Sequence, residues 1–313
     1  MRYKTYAMRL TLFAFALPLV AFGLHRLGYI NTENDFILQQ QLKKLDRSRD
    51  EKIATLIVGD SSAGNGVDAS FFARQCGAPA LNLALTAGYG IAGTFNMLSR
   101  AAAVHPEIKN VLIVQSPDMW HRPFSLTGYF KTRIEPLANM KPILPQIRSR
   151  YIAYLFNVKE INWYAKYLFD RRRYRYDTAN DYTAQHEKRF ADGAARIDAD
   201  RTIPPGIPEE RVQMLKRLDR FCYEHALNCI YLHGPMHESV LKNSTAALQE
   251  INATLADTLH AVRYIPTFFP VPPQKLGDKI DHIDPRFKRW STRIIFERAK
   301  PFLHCRSKPI EHF

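Results

Sequence analysis

The sequence lacks the residue spacings that mark several common kinds of functional site. Its four cysteines include no Cys-x-x-Cys pair, so a zinc site or a dithiol redox site has little support. There is no dinucleotide-binding or phosphate-loop fingerprint, no cluster of metal ligands and no internal repeat. Zinc-finger spacing and RNA-binding aromatic motifs are also missing. We therefore predict no cofactor and no bound metal, and we do not expect nucleic acid as a partner.

Acidic residues are too few to balance the basic ones. The chain has 44 Lys and Arg against 30 Asp and Glu, which gives a formal net charge of +14 and a pI near 9.6. This charge favours an acidic partner, such as anionic lipid headgroups or an acidic polysaccharide. The hydrophobic content of 46% and the mean hydropathy of -0.29 are those of an ordinary globular protein. A length of 313 residues suits one large domain, or one domain with an insertion.

The uncharged apolar run near the N-terminus, residues 10–24, is short for a membrane span. It is preceded by three basic residues, and its length is at the upper end for a signal peptide but below the ~20 residues of a comfortable span. Tyr6 and Tyr29 flank the run as interfacial aromatic residues would. Residues 21–23 could serve as a signal-peptide cleavage site. We favour an uncleaved anchor over a signal peptide, because no clean Ala-x-Ala follows the run. A buried core helix is the third possibility. Both the anchor and the signal peptide would place the rest of the chain outside the cytoplasm.

Beyond residues 1–30, short apolar runs alternate with helical patterns. Residues 31–52 are polar and suggest a linker or short helix, and the alternation then predicts an α/β domain over residues 53–313 with a doubly wound, mostly parallel sheet. The predicted strands are residues 53–58, 78–85, 110–114, 228–232 and 261–265.

The alternation stops between residues 119 and 204, where Arg and aromatic residues are abundant. We interpret this stretch as a helical cap inserted in the domain. Its composition suits stacking on sugar rings, pairing with carboxylates or contact with a membrane interface. The alternative is a solvated charged helix followed by a loop.

A serine follows the first predicted strand. That strand stops at Gly59, and Asp60-Ser61-Ser62 come next. Residues just past the carboxyl ends of parallel strands lie where open α/β sheets bind ligands. The next helical pattern begins after Asp68, so we expect Ser61 on a strand-to-helix loop, near unpaired backbone N–H groups. Those groups could stabilise the oxyanion formed when Ser61 attacks an acyl carbon.

The run Gly59-Asp60-Ser61 resembles the opening motif of the SGNH/GDSL hydrolase superfamily, in particular its membrane-attached branch, which is linked to acylation of cell-surface polysaccharides. The resemblance implies a flavodoxin-like sheet, with Ser61 as nucleophile and the backbone N–H groups of Ser61 and Gly88 as oxyanion donors. It also implies a bacterial inner-membrane protein that crosses the membrane once, with its main domain in the periplasm. A glycan or an acylated small molecule would be the substrate, and a membrane protein could donate the acyl group.

The segment from Gly277 to Pro285 resembles the closing block of the same family, in which an aspartate and a histidine precede the last helix. His282 would then be the base, with Asp278 or Asp281 orienting its ring. The family's aspartate lies three residues before the histidine, where this chain has Lys279. We favour Asp278, because residues four apart in a tight turn share one face. Asp281 is expected instead to stabilise the start of the last helix, as is Asp284.

After the third strand the family has a Gly-x-Asn-Asp motif, but this chain has Gln115-Ser116-Pro117-Asp118. The asparagine, an oxyanion donor in the family, is replaced by a proline without a donor. Gln115 is therefore our candidate for the missing donor, and Asp118 and Trp120 are our candidates for substrate contact. Loss of one such donor can cost about 10²–10³ in rate.

Two hypotheses follow. The first is an extracytoplasmic, serine-dependent enzyme that transfers or hydrolyses an O-linked acyl group, in particular acetyl, on a cell-envelope glycan. The second is a non-catalytic glycan-binding or assembly subunit with a degenerate SGNH fold. In an exported chain, Cys222 and Cys229 could form a short disulfide loop, the alternative being four free thiols. His233 and His237 either border the site or are ordinary loop histidines.

Overall fold

The computed structural model describes residues 33–122 and 198–305, together with scattered positions between residues 3 and 16. The predicted membrane segment and most of the predicted cap lie outside the described residues. In the part of the chain that is described, no helix combines the length and the apolar character needed to cross a bilayer.

A five-stranded parallel sheet forms the centre of the domain, so the predicted α/β class with a mostly parallel sheet is confirmed. The spatial order is β2-β1-β3-β4-β6. A second, two-stranded parallel sheet of β5 and β7 was not predicted. The strands are β1 Thr55–Gly59, β2 Ala80–Asn82, β3 Asn110–Gln115, β4 Asn228–His233, β5 Pro235–His237, β6 Arg263–Ile265 and β7 Phe269–Val271.

Eight α-helices are described around the sheet. The segment predicted as a linker or short helix contains α1, whose Ile37, Leu38 and Leu45 are buried in the core. Residues 238–258 form two helices, because the chain leaves helical geometry at Ser244. The helices are α1 Glu33–Arg47, α2 Ser61–Gly66, α3 Ala69–Cys76, α4 Gly90–Val104, α5 Glu209–Glu224, α6 Glu238–Asn243, α7 Thr245–Thr258 and α8 Lys288–Ala299.

Both faces of the central sheet are covered by helices. Successive residues of a strand point to opposite faces. In β1, Leu56 and Val58 join a core cluster with α4, α5 and α7, whereas Ile57 joins a second cluster with α3 and α8. Burial on both faces explains why β1, β3 and β4 are largely continuous apolar runs in the sequence. The sheet is therefore doubly wound.

Gly59 allows β1 and β3 to approach each other at the end of β1. Its φ of +149° is rarely adopted by residues with a side chain, and a Cβ atom would lie 1.8 Å from the carbonyl oxygen of Val114. The close approach brings the residue after β1 beside the end of β3. Gly59 thus positions Asp60 and Ser61 at the carboxyl edge of the sheet.

Two disulfide bonds connect the four cysteines. The predicted bond between Cys222 and Cys229 is confirmed, and it joins the end of α5 to the start of β4. The bond between Cys76 and Cys305 was not predicted, and it ties the end of α3 to the chain beyond α8.

Candidate active site

Ser61 is the first residue of α2, so the expectation that it lies on a loop was wrong. The helix is short and small in composition (SSAGNG), with no apolar periodicity to predict it, and all six of its residues are buried. Its N-terminus is capped by Asp60, whose Oδ1 accepts a hydrogen bond from the backbone N–H of Ser62 at 2.9 Å. The N–H of Ser61, at the first helical position, has no acceptor within the helix. It remains a candidate oxyanion donor.

Asp60 connects the ends of two neighbouring strands. Its Oδ1 also accepts a hydrogen bond from the Ser62 hydroxyl at 2.5 Å. Its Oδ2 accepts hydrogen bonds from the N–H and the hydroxyl of Ser116, at 2.9 and 2.7 Å. Burial raises the pKa of Asp60, and Asp281 adds to this rise, against the opposing effects of Arg122 and the two serine hydroxyls. Asp60 therefore holds the backbone around Ser61 in place.

The structure brings Ser61, His282 and Asp278 together. Nε2 of His282 is 3.0 Å from the Ser61 hydroxyl oxygen, and Nδ1 is 2.7 Å from Oδ1 of Asp278. If Nδ1 carries the ring proton and donates it to Asp278, the lone pair on Nε2 faces the Ser61 hydroxyl. In that tautomer His282 can accept the hydroxyl proton, which is the arrangement of a nucleophile, a base and an orienting carboxylate. Ser61 and His282 are both buried.

The loop that carries His282 explains why Asp278 reaches the ring. Leu276 and Ile283 form an antiparallel bridge, and the N–H of Gly277 donates to the His282 carbonyl at 2.8 Å. The turn between them places the side chains of Asp278 and His282 against each other. β5 supports this turn, because the N–H of His237 donates to the Ile280 carbonyl at 2.7 Å.

Asp281 was expected to stabilise the start of the last helix, but it is paired with Arg122 instead. Its Oδ2 accepts a hydrogen bond from Nη2 of Arg122 at 2.8 Å. Its Oδ1 lies 3.9 Å from Nε2 of His282. The expected helix-start role is filled by Asp284, which accepts from the N–H of Arg286 at 2.9 Å in the turn before α8.

Arg122 is a residue of this site that the sequence analysis missed. It binds Asp118 through Nε at 2.9 Å and Nη2 at 3.0 Å, in addition to Asp281. Burial acts to lower the pKa of Arg122, but Asp281, Asp118 and Asp60 together raise it above its ordinary value. Burial likewise acts to raise the pKa of Asp281, but Arg122, followed by His282 and Lys279, lowers it overall. The available sequence signal was the spacing of Asp118 and Arg122, since opposite charges four residues apart can pair.

The two other predicted oxyanion donors, Gln115 and Gly88, have different surroundings. Nε2 of Gln115 donates to the Thr94 hydroxyl at 2.9 Å, so this amide is engaged with α4. Gly88 lies in the short 3₁₀ helix Ala87–Tyr89. The preceding chain runs beside β1, with the N–H of Leu85 donating to the Gly59 carbonyl at 3.0 Å, which brings Gly88 to the same edge as Ser61. Oxyanion binding by either residue stays a prediction.

The two predicted substrate-contact residues are completely buried. Asp118 is held by Arg122, and the Trp120 ring stacks on Tyr231 with centroids 6.4 Å apart. In this structure neither side chain has exposed surface for a substrate, and their substrate contact stays a prediction.

His233 and His237 have partners of their own. Nε2 of His233 lies 2.9 Å from Oδ1 of Asn252 and 2.8 Å from the Tyr264 hydroxyl, and burial lowers the pKa of His233 to about 4. Nδ1 of His237 accepts from the N–H of Ser239 at 3.1 Å. These contacts give both histidines a structural role.

No group of three or more potential ligand side chains that could hold a metal ion occurs within the described ranges. Comparisons of the chain with protein-family models, with curated proteins and with solved structures gave no match.

Proposed function

We propose that this chain is a serine-dependent esterase or O-acyltransferase, with Ser61 as nucleophile, His282 as base and Asp278 as the carboxylate that orients the ring. One observation carries the proposal. A buried serine hydroxyl lies 3.0 Å from Nε2 of a buried histidine, and Nδ1 of that histidine lies 2.7 Å from a carboxylate. Nearby backbone N–H groups at the start of α2 supply the remaining requirement of acyl transfer.

The proposed reaction has two halves. The Ser61 oxygen attacks the carbonyl carbon of an ester while Nε2 of His282 takes the hydroxyl proton. The protonated ring then gives this proton to the departing alcohol, which leaves the acyl group on Ser61. Water or a glycan hydroxyl then attacks the acyl carbon while Nε2 takes its proton. The bond between the acyl carbon and the Ser61 oxygen breaks, and the ring returns the proton to Ser61. Water yields hydrolysis, whereas a glycan hydroxyl yields transfer.

The proposal includes a flavodoxin-like sheet of the SGNH type. The strand order β2-β1-β3-β4-β6 supports this, because flavodoxin-like sheets have the order 2-1-3-4-5 and bind ligands at the carboxyl ends of their strands. Ser61, after β1, occupies that edge.

We place the reaction outside the cytoplasm, on an O-acetylated cell-envelope glycan. The two disulfide bonds support an oxidising compartment. The basic residues before the apolar run 10–24 support export and attachment to the inner membrane. The net charge of +14 suits an acidic glycan or anionic lipid surface. The choice of a glycan rests on this charge and on the family resemblance.

A second candidate function is a non-catalytic glycan-binding or assembly subunit. Two observations favour it. The Gln115 amide donates to Thr94, and the family's asparagine donor is replaced by Pro117, which has no N–H. The site would then lack the side-chain donor that the resembled family provides.

Labelling of the full-length protein with a fluorophosphonate probe separates the two candidates. We expect wild type to be labelled and Ser61→Ala to lose labelling while remaining folded. Ser62→Ala is the matched control, because Ser62 is the neighbouring buried serine but its hydroxyl donates to Asp60. Labelling that is lost in Ser62→Ala but not in Ser61→Ala would show that Ser62, and not Ser61, is the nucleophile. A folded wild type that is not labelled would favour the non-catalytic subunit.

A further inference from the structure

Asp281 has a buried carboxylate oxygen that the proposed reaction leaves unexplained. The side chain is fully buried, and its Oδ1 accepts no hydrogen bond in the part of the chain that the structure describes. A buried oxygen without a donor is costly, so such an oxygen in a native site calls for a physical account. This oxygen lies 3.9 Å from Nε2 of His282, the ring nitrogen that faces Ser61.

Arg122 fixes the position of this carboxylate. Its guanidinium group donates a hydrogen bond to Oδ2 of Asp281 at 2.8 Å and two more to the carboxylate of Asp118. The backbone of Arg122 is anchored in turn by Arg211 of α5, which donates to the carbonyls of Met119 and Arg122 at 2.5 and 2.7 Å. Asp281 therefore cannot turn freely, and its unpartnered oxygen stays on the Nε2 side of the ring.

We propose that Asp281 is a second positioning carboxylate for His282, acting on the Nε2 side of the ring, and that Arg122 holds it there and offsets part of its negative charge. The inference rests on the proposed function and assigns two residues to the control of its base. When the Ser61 proton moves to Nε2, positive charge develops on the ring beside Oδ1 of Asp281. A carboxylate at this distance stabilises the imidazolium. Without Arg122 it would stabilise the imidazolium so strongly that the ring would give up its proton less readily to the leaving alcohol.

Charged and titratable groups on the elements around the His282 loop are part of this balance. Asp278 binds Nδ1, and Lys279, which stands between Asp278 and Asp281 in the sequence, acts to lower the pKa of Asp281. Arg122 and Asp60 act on Asp281 and on each other, and Asp118 shares Arg122. Lys288 of α8 donates to the Gly64 carbonyl at 2.7 Å, and His237 of β5, whose Nδ1 accepts a hydrogen bond, contacts the loop through its backbone N–H.

Opposite charge changes beside Nε2 should move the pH dependence of labelling in opposite directions. Asp281→Asn removes the negative charge, so the acid limb of the labelling rate should move to lower pH than in wild type. Arg122→Gln leaves the Asp281 charge without its counter-charge, so the acid limb should move to higher pH. The double variant restores the charge balance and should titrate between the two single variants. Asp118→Asn is the matched control: it removes a buried carboxylate from the same arginine without touching His282, so its shift should be clearly smaller than that of Asp281→Asn.

Two measurements on the full-length chain test this. The first is the titration of the His282 ring by NMR with ¹³C-labelled histidine, the signal being assigned by its loss in His282→Gln. The second is the pH dependence of the rate constant for fluorophosphonate labelling, whose acid limb should shift with the ring. Shifts in opposite directions in the two single variants support the proposal. Changes in labelling rate without a shift, or shifts in the same direction, overturn it and leave Asp281 and Arg122 as structural residues.

The two readouts also separate this inference from the proposed function. If wild type is not labelled but the ring titration moves as expected, the esterase proposal fails and the control of His282 stands. If Arg122→Gln does not fold, the ring titration of Asp281→Asn decides, and an unchanged midpoint there refutes the role of Asp281.

Discussion

Replacement of Asp278 by asparagine tests how the His282 ring is held in the proposed reaction. Oδ1 of Asp278 lies 2.7 Å from Nδ1, and Nε2 lies 3.0 Å from the Ser61 oxygen. The carboxylate can only accept a hydrogen bond, so it keeps the ring proton on Nδ1. An asparagine amide can donate to Nδ1 instead, which places the ring proton on Nε2 and points it at Ser61. In that tautomer the ring has no lone pair to take the serine proton.

The size of the effect follows from this loss of the base. Where an orienting carboxylate in a complete triad is replaced by its amide, turnover falls by about 10⁴, which corresponds to about 5 kcal/mol of transition-state stabilisation. We expect a loss of about 10³–10⁴ in the rate of labelling or of p-nitrophenyl acetate hydrolysis. The side chain of Asp278 is near the surface of the loop, with 14% of its area exposed, and asparagine has the same shape. The free energy of unfolding should therefore change by less than about 1 kcal/mol.

Asp281→Asn is the control for this prediction, because it makes the same chemical change three residues away in the same loop. Oδ2 of Asp281 binds Arg122, and neither of its oxygens is within hydrogen-bond distance of the His282 ring. At a pH well above the acid limb we expect Asp281→Asn to retain far more activity than Asp278→Asn. The opposite ranking, with Asp281→Asn inactive and Asp278→Asn near normal, would refute the assignment of Asp278.

Three further predictions concern the fold. Gly59→Ala should destabilise the domain by more than about 4 kcal/mol in urea unfolding, because its Cβ would overlap the Val114 carbonyl; near-normal stability would contradict the close approach. The pKa of His233 is lowered from 6.5 to about 4. Between these values the unfolded state binds more protons than the folded state, so the free energy of unfolding should fall by about 2–3 kcal/mol from pH 7 to pH 4.5. This part of the pH dependence of stability should disappear in His233→Gln, and an unchanged dependence would show that another group titrates. Peptide mapping without reductant should find both disulfide pairs, and free thiols or exchanged partners would contradict them.

The central sheet could be predicted because its strands are buried on both faces. The third and fourth strands appear in the sequence as unbroken apolar runs, and the predicted ends differ from β3 and β4 by one residue. β2 is shorter than predicted, although the chain continues alongside β1 through the N–H groups of Leu83 and Leu85. The small β5–β7 sheet was missed because Pro235 and Pro270 make both segments poor strands by sequence criteria.

The positions of Ser61 and Asp278 could be inferred because each depends on local order along the chain. Ser61 follows the end of the first strand, and the carboxyl ends of parallel strands meet at one edge. Asp278 and His282 are four residues apart, so a turn of the right size was enough to bring them together.

The remaining contacts join residues that no local pattern relates. Arg122 and Asp281 are 159 residues apart, and Cys76 and Cys305 are 229 apart. An aspartate before a helix is most simply interpreted as a cap, and only the fold shows that Asp281 is paired with Arg122, which lies beyond β3. The proposed electrostatic control of His282 is therefore the part of this site that required the three-dimensional structure, since it depends on the pairing of Asp281 with Arg122.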